Sequence, residues 1–370
     1  MKEEDGVKPS FFVSRETLRR IINMKQFDTK NYFSITSLYK YHTPFNFVVG
    51  GRGTGKTYGA LLDMLENNRK FIFMRRSQTQ LKQICEEKEF DMEDETKVRV
   101  SLSPFKSIER NTGKHVTIEK ISKDLYAFFH ESKHIGYGCA MNTLSNIRGF
   151  DASDIDYLIF DEFIPLPGEL CKKDEGRILM DAYETINRNR EFDGHNPLYM
   201  FCLANANDID CPIMLDLELT EVVERMVNKG KNFRLDGKRG YTFSLLANND
   251  FEEAKRNTAL FRFTKGLKYN VMAFENKFAY DDFTNVKSLN IKEYLPLYSI
   301  GNYYIYHHKS RDEYYISLCK MDVKESYADS EYGHLQFAQN HGREMYGAYM
   351  ENRLIFETYR CKKLLTDIVA

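Results

Sequence analysis

Asn46-Phe47-Val48-Val49-Gly50-Gly51-Arg52-Gly53-Thr54-Gly55-Lys56-Thr57 decides how this chain folds. Residues 47–49 read as a buried strand, a glycine-rich turn follows at once, and residues 58–65 carry helical apolar spacing. Strand, loop and helix are the context that the spacing G-x-x-x-x-G-K-[ST] requires of a phosphate-binding P-loop. Backbone N–H groups of such a loop converge on a triphosphate only through unusual dihedral angles, which glycine permits at little steric cost. On this reading Gly50, Gly51, Arg52, Gly53, Thr54 and Gly55 cradle ATP, Lys56 reaches its β- and γ-phosphates, and Thr57 holds Mg²⁺. The N-terminus of the following helix adds favourable partial charge for the anion.

A second element is needed to complete such a site, and Ile155-Asp156-Tyr157-Leu158-Ile159-Phe160-Asp161-Glu162 supplies it. Its apolar run predicts a buried strand whose end delivers two adjacent carboxylates to the edge where open parallel sheets collect their ligands. Asp161 is expected to orient the Mg²⁺ shell and Glu162 to polarise a water for attack on the γ-phosphate. Lys70-Phe71-Ile72-Phe73-Met74 reads as a further buried strand ending in Arg75-Arg76, either a phosphate-contacting pair or two solvated charges. Leu198-Tyr199-Met200-Phe201-Cys202-Leu203-Ala204 is another, and Asn205 at its tip either bonds the attacking water or the γ-phosphate or is simply a turn former. Residues 174–187 carry a helical apolar face (Ile178, Leu179, Ala182, Tyr183, Ile186) that runs out into Arg188-Asn189-Arg190-Glu191. Arg188 is a candidate finger reaching a neighbouring subunit's γ-phosphate, with helix capping as the plainer alternative.

Composition bounds the class. A chain of 370 residues with a 42% hydrophobic fraction can fill more than one core. Lys+Arg 53 against Asp+Glu 54 leaves no global positive field, so nucleic-acid contact would need local patches. Seven scattered cysteines without C-x-x-C spacing argue against a disulfide framework or zinc site, and suit a reducing compartment. The charged start (Lys2, Glu3, Glu4, Asp5) and the lack of a membrane-length apolar run point to the cytoplasm.

The remaining stretches carry weaker signals. Residues 15–27 read as an amphipathic helix, and Tyr32, Tyr39 and Tyr41 form an aromatic lead-in that either covers an adenine or packs on the sheet. Residues 91–123 suggest a β-hairpin insertion with Lys106, Arg110, Lys114 and Lys120 as a basic patch. A second patch (Lys229, Lys231, Arg234, Lys238, Arg239) lies in a turn-rich stretch expected to be a linker. From about residue 268 short strand patterns recur and a helical pattern closes the chain. The expected domains are therefore 1–213, 214–255 as a basic linker subdomain, and 256–370.

In this order, the P-loop, Met74-Arg75-Arg76, Leu158-Ile159-Phe160-Asp161-Glu162-Phe163, Arg188-Asn189-Arg190-Glu191 and Cys202-Leu203-Ala204-Asn205-Ala206 resemble the DNA-packaging ATPase of phi29-type tailed phages. The resemblance covers residues 46–207 and is weak beyond. It implies an α/β P-loop ATPase domain with a mostly parallel sheet and an added strand between the two Walker strands. It further implies a smaller α+β, RNase H-like C-terminal domain that is a degenerate nuclease. The implied machine is a ring, usually a pentamer, that drives double-stranded DNA into a prohead from the host cytoplasm, docked on the portal and in some phages on a structural RNA. In it Lys56 and Thr57 match the P-loop pair, Asp161 and Glu162 the Walker B pair, and Arg188 the trans-acting finger. Arg148-Gly149 looks instead like the large terminases, which also cut DNA, and gives Arg148 a place as DNA contact or second finger. Two rival readings stay open: a headful-type terminase with an active C-terminal nuclease, and a nucleotide-binding regulatory module that moves nothing.

Overall fold

Apolar runs with both faces covered form the centre of the fold, as expected of strands in a parallel sheet. The computed structural model describes residues 33–91, 97–143, 152–166, 169, 171–172, 174–207, 209–246, 256, 258–265 and 283–369. These fall into two compact units, each drawn from non-consecutive stretches. One takes from Met1–Phe163, Ala182–Ala204 and Leu235–Phe263, the other from Ile164–Asp181, Asn205–Arg234 and Thr264–Ala370.

In chain order the first part of the molecule comprises β1 (Phe45–Gly50), α1 (Lys56–Glu66), β2 (Phe71–Arg75) and α2 (Gln78–Cys85). A small antiparallel hairpin follows, β3 (Lys88–Asp91) with β4 (Lys97–Val100), then α3 (Phe105–Thr112), β5 (Thr117–Lys120), β6 (Leu125–His130), β7 (Lys133–Ala140) and β8 (Tyr157–Asp161). Next come α4 (Glu175–Asn187), β9 (Tyr199–Asn205), α5 (Pro212–Asp216), α6 (Thr220–Asn228), β10 (Phe233–Asp236), β11 (Tyr241–Leu245) and α7 (Ala259–Thr264).

Nine strands make one sheet in the order β10-β11-β1-β9-β8-β2-β7-β6-β5. Pairings β1·β11, β9·β8, β8·β2 and β2·β7 are parallel, while β7, β6 and β5 form an antiparallel margin. Every residue of β8 is buried, as are residues 46–50 of β1 and 71–74 of β2. β9 lies between the glycine-loop strand β1 and the carboxylate strand β8.

Two stretches differ from expectation. The insertion over 91–123 is only partly hairpin, because residues 105–112 form α3 and bury Phe105 and Ile108. The stretch taken for a basic linker supplies β10 and β11, and β11 extends the sheet beside β1 with Phe47 opposite Phe243.

The second unit holds a five-stranded sheet built from β12 (Tyr294–Ile300), β13 (Tyr303–His308), β14 (Tyr314–Ser317), β15 (Glu325–Tyr327) and β16 (Leu354–Phe356). Its order is β15-β12-β13-β14-β16, an antiparallel centre with a parallel strand at each edge. Alternation sorts its side chains: Tyr303 and Ile305 join one core with Phe337 and Met345 of α8 (Glu331–Met350) and Leu365 of α9 (Tyr359–Val369). Tyr304 and Tyr306 face the other way, into a cluster with Tyr294, Tyr315 and Ile355.

Candidate active site

The glycine-rich loop after β1 has the backbone that its glycines permit. Gly53 and Gly55 both sit at φ +79°, a left-handed conformation that costs other residues about 1–2 kcal/mol. Gly55 ends the loop, and α1 starts at Lys56 with no side-chain cap and no acidic residue in its first turn. That helix end is thus compatible with an anion. A β-carbon on Gly50 would come within 2.8 Å of Leu246 Cβ, so the position must stay bare for the chain after β11 to pass. Lys56 is buried to 7% exposure, and its Nζ donates to the carbonyl oxygens of Gly50 (3.0 Å) and Gly51 (2.9 Å) and to Thr54 Oγ1 (3.2 Å). Thr54 Oγ1 in turn donates to Gly51 O at 3.0 Å, so loop and lysine form one bonded unit. Arg52 and Gly53 remain exposed.

The carboxylate strand meets this loop. Thr57 Oγ1 donates to Asp161 Oδ1 at 2.9 Å, which sets two hard oxygen donors side by side at the head of α1. That donor set fits Mg²⁺, which prefers oxygen ligands and usually takes one or two carboxylates together with substrate phosphates. Asp161 is 4% exposed.

Both strand-end arginines are engaged, so neither is a solvated charge. Arg75 Nη2 lies 3.2 Å from Asp161 Oδ2, and Nη1 pairs with Glu162 Oε2, so one planar guanidinium spans both carboxylates. Arg76, 3% exposed, donates through Nη2 to the carbonyl of Phe163, whose own N–H donates to Leu203 O at 3.2 Å. The turn after β8 is therefore held from both neighbouring strands, and Glu162 within it sits at φ +59°. The signal for Arg75 was its position at a strand end; its carboxylate partners required the strand register.

Other predicted residues separate into groups. Asn205 ends β9, two positions beyond Leu203, which is in register with Asp161. Arg188 follows α4 at φ +49°, exposed, with Nε 3.4 Å from Thr185 O. Tyr39 packs in the core instead of forming a nucleotide-facing stack. Its hydroxyl donates to Asp63, and the Arg69 guanidinium lies over its ring at 4.7 Å and over that of Tyr157, set edge-on to it, at 5.0 Å. Burial, then the Asp63 charge, pushes the Tyr39 hydroxyl pKa up; burial likewise raises that of Asp63. Arg148, Tyr32 and the helix expected over 15–27 lie outside the described residues, as do Glu275, Asp281 and Asp282, three of the five C-terminal acidic residues (with Asp312 and Asp322) from which a two-metal nuclease site could be drawn.

In the first basic patch Lys106 is paired with Glu87 (3.7 Å) and Glu109 (3.4 Å), and Lys120 with Glu86 (2.7 Å). Lys229, Lys231, Arg234, Lys238 and Arg239 of the second are exposed. All seven cysteines are free thiols, and five of them are buried. Among the described residues no helix is long and apolar enough to cross a membrane, and no group of three or more His, Cys, Asp or Glu residues is placed to hold a metal ion.

Several known proteins are similar to this chain. The DNA packaging protein of Bacillus phage phi29 is 23% identical over 265 residues, covering 69% of this chain and 68% of its own length. That of Bacillus phage B103 is 23% identical over 268 residues, covering 69% and 71%. Among solved structures, the bacteriophage Phi-29 viral genome packaging motor assembly superposes with a TM-score of 0.62 at 17% identity, over 91% of this chain and 98% of that one. The Phi-28 gp11 DNA packaging motor gives 0.50 at 17% identity, over 91% and 96%. At such identities the superpositions speak for the fold. The sequence model of the Podovirus DNA encapsidation protein (Gp16) family matches residues 27–303, and the chain belongs to that family.

Proposed function

We propose that this protein is the ATP-hydrolysing subunit of a viral genome-packaging motor that drives double-stranded DNA into a prohead. The observation that carries the reading is the 2.9 Å hydrogen bond from Thr57 to Asp161, which brings loop hydroxyl and strand carboxylate to one point. Thr57 and Asp161 are the residues that would hold Mg²⁺, and the ion would offset negative charge on the phosphates. Lys56 leaves its loop carbonyls for phosphate oxygens, an exchange of acceptors that keeps a buried ammonium bonded. Glu162 polarises water, Asn205 reports on the γ-phosphate, and Arg188 completes the site of a neighbouring copy.

The working assembly on this reading is a ring, pentameric as in the packaging ATPases that the sequence resembles. It forms in the host cytoplasm and docks on the prohead portal, through a structural RNA where one is present. The C-terminal unit is proposed to be RNase H-like and to dock rather than cut. In support, Asp312 is engaged by Arg353 at 2.9 Å and lies 3.6 Å from His307.

Lys56→Ala tests the proposal: ATP turnover and DNA packaging should disappear together, and retained DNA-stimulated hydrolysis would refute it. The rivals predict other outcomes. Plasmid cutting by the full chain with Mn²⁺, surviving Lys56→Ala, would establish a live nuclease. Failure of DNA with portal-bearing proheads to stimulate turnover would favour a regulatory module.

A further inference from the structure

The loop that carries Arg188 is tied to the strand ends through the second arginine of Arg188-Asn189-Arg190-Glu191. The helix before the loop ends with Arg188 N–H donating to Glu184 O at 2.8 Å. The base is closed by Leu198, whose N–H donates to Asn187 Oδ1 (2.8 Å) and whose carbonyl accepts from Tyr183 Oη (2.9 Å). Within the loop, exposure runs against polarity. Phe192 is 90% exposed, whereas the Arg190 side chain is only 11% exposed.

Arg190 Nη2 donates to Ser153 O at 2.7 Å, and Nη1 lies 3.4 Å from Asp156 Oδ1. Asp156 is the residue before β8. Its N–H donates to Lys70 O (3.1 Å) just before β2, and its carbonyl accepts from Tyr199 N–H (3.0 Å) at the start of β9. One guanidinium thus fastens the loop to the point where three core strands begin, including the strand that ends in Asp161. The other side chains of residues 188–196 are exposed, so apart from the Asn187–Glu191 contact (3.4 Å) at its base this charged clasp is what holds the loop that Arg188 begins. Its two bonds suit a planar fork and cannot both be made by a lysine in the same geometry.

We propose that Arg190 is a positioning residue: by clasping Ser153 and Asp156 it sets the reach of Arg188 toward the active site of a second copy of this chain. The inference rests on the reading of Arg188 as a trans-acting finger. A misplacement of about 1 Å in a group that stabilises the transition state costs roughly a hundredfold in rate, so Arg190→Ala should lower turnover by about that factor with nucleotide affinity intact.

The experiment uses the full chain with DNA and proheads, and compares Arg190→Ala, Arg190→Lys, Asp156→Ala and Arg188→Ala. Each is assayed for fluorescent ATP-analogue affinity and for turnover, alone and mixed with Glu162→Gln subunits. Arg190→Ala should bind the analogue normally, lose turnover, and regain part of it in the mixture, because Glu162→Gln subunits bring an intact finger loop. Arg190→Lys should recover only part of the rate, and Asp156→Ala should show the same defect in weaker form, giving a second reading if Arg190→Ala folds poorly. Undiminished turnover in Arg190→Ala, or loss of analogue binding together with turnover in the folded variants, would overturn the inference. So would rescue of Arg188→Ala without rescue of Arg190→Ala or Asp156→Ala. If Arg188→Ala itself is not rescued, the trans finger fails first, and this inference falls with it.

Discussion

Glu162 holds a left-handed backbone at φ +59° with a β-carbon in place, and this makes the cost of the turn after β8 measurable. For an L-residue that conformation costs about 1–2 kcal/mol. It persists because the turn is pinned by the Arg75 pair, by Arg76 on the Phe163 carbonyl and by Phe163 N–H on Leu203 O. Strain retained in this way is common where function needs a particular geometry. Comparing Glu162→Ala with Glu162→Gly isolates the backbone, because both lose the same carboxylate and the same pairing with Arg75. Glycine removes the strain but loses about 0.5–1 kcal/mol more conformational entropy than alanine on folding. The balance leaves Glu162→Gly about 0.5–1 kcal/mol more stable than Glu162→Ala, with both inactive. At Glu119, an exposed strand position without positive φ, the order should reverse, with glycine roughly 0.5–1 kcal/mol the less stable. Urea unfolding of the four variants reads both differences directly. Glycine less stable than alanine at 162, by as much as at 119, would mean that the turn carries no strain and would refute the reasoning.

Other consequences concern charge. Arg75 is 13% exposed and meets a carboxylate that is 6% exposed and another that is 39% exposed. Double-mutant cycles should therefore give about 1.5–3 kcal/mol for Arg75 with Asp161 and no more than about 1 kcal/mol for Arg75 with Glu162. The opposite ranking would contradict the geometry. His134 is held below the ordinary histidine range by burial, then by Lys70, against a smaller opposing pull from Asp154. Below about pH 6.5 the unfolded chain thus binds a proton that the native site resists. Stability from this group is full at neutral pH and is lost as pH falls through the lowered native pKa. His134→Phe should flatten that acid limb in denaturant titrations, and an unchanged slope would exclude His134 as its source.

Legibility in the sequence followed the physics of each element. β1, β8 and β9 are read easily because strands covered on both faces must be continuous apolar runs, and a glycine turn or a carboxylate pair at the tip of such a run marks the edge where ligands collect. α3 escaped because a short helix with a single buried side needs few apolar residues, and Phe105 and Ile108 were too few to show a period. β11 was hidden differently. Tyr241-Thr242-Phe243-Ser244-Leu245 alternates as a strand with one polar face should, yet all five side chains are buried, and the glycines and basic residues before it read as a linker.

The role of Arg75 was beyond reach for a deeper reason. Its place at the end of an apolar run could be read locally, but whether it faces a phosphate or a carboxylate depends on how two strands far apart in sequence are aligned. The structure pairs Met74 with Phe160, so the next residues along the two parallel strands, Arg75 and Asp161, come together. Side chains alternate between faces along a strand, and a slip of one residue would turn Arg75 away from Asp161 and break its span to Glu162. What aligns the strands is the packing of Phe71, Ile72 and Phe73 beside Tyr157, Leu158 and Ile159, residues away from the strand tips. The charge arrangement of the site is thus decided by apolar register several residues away, which is why motif reading finds the carboxylates and misses the cation between them.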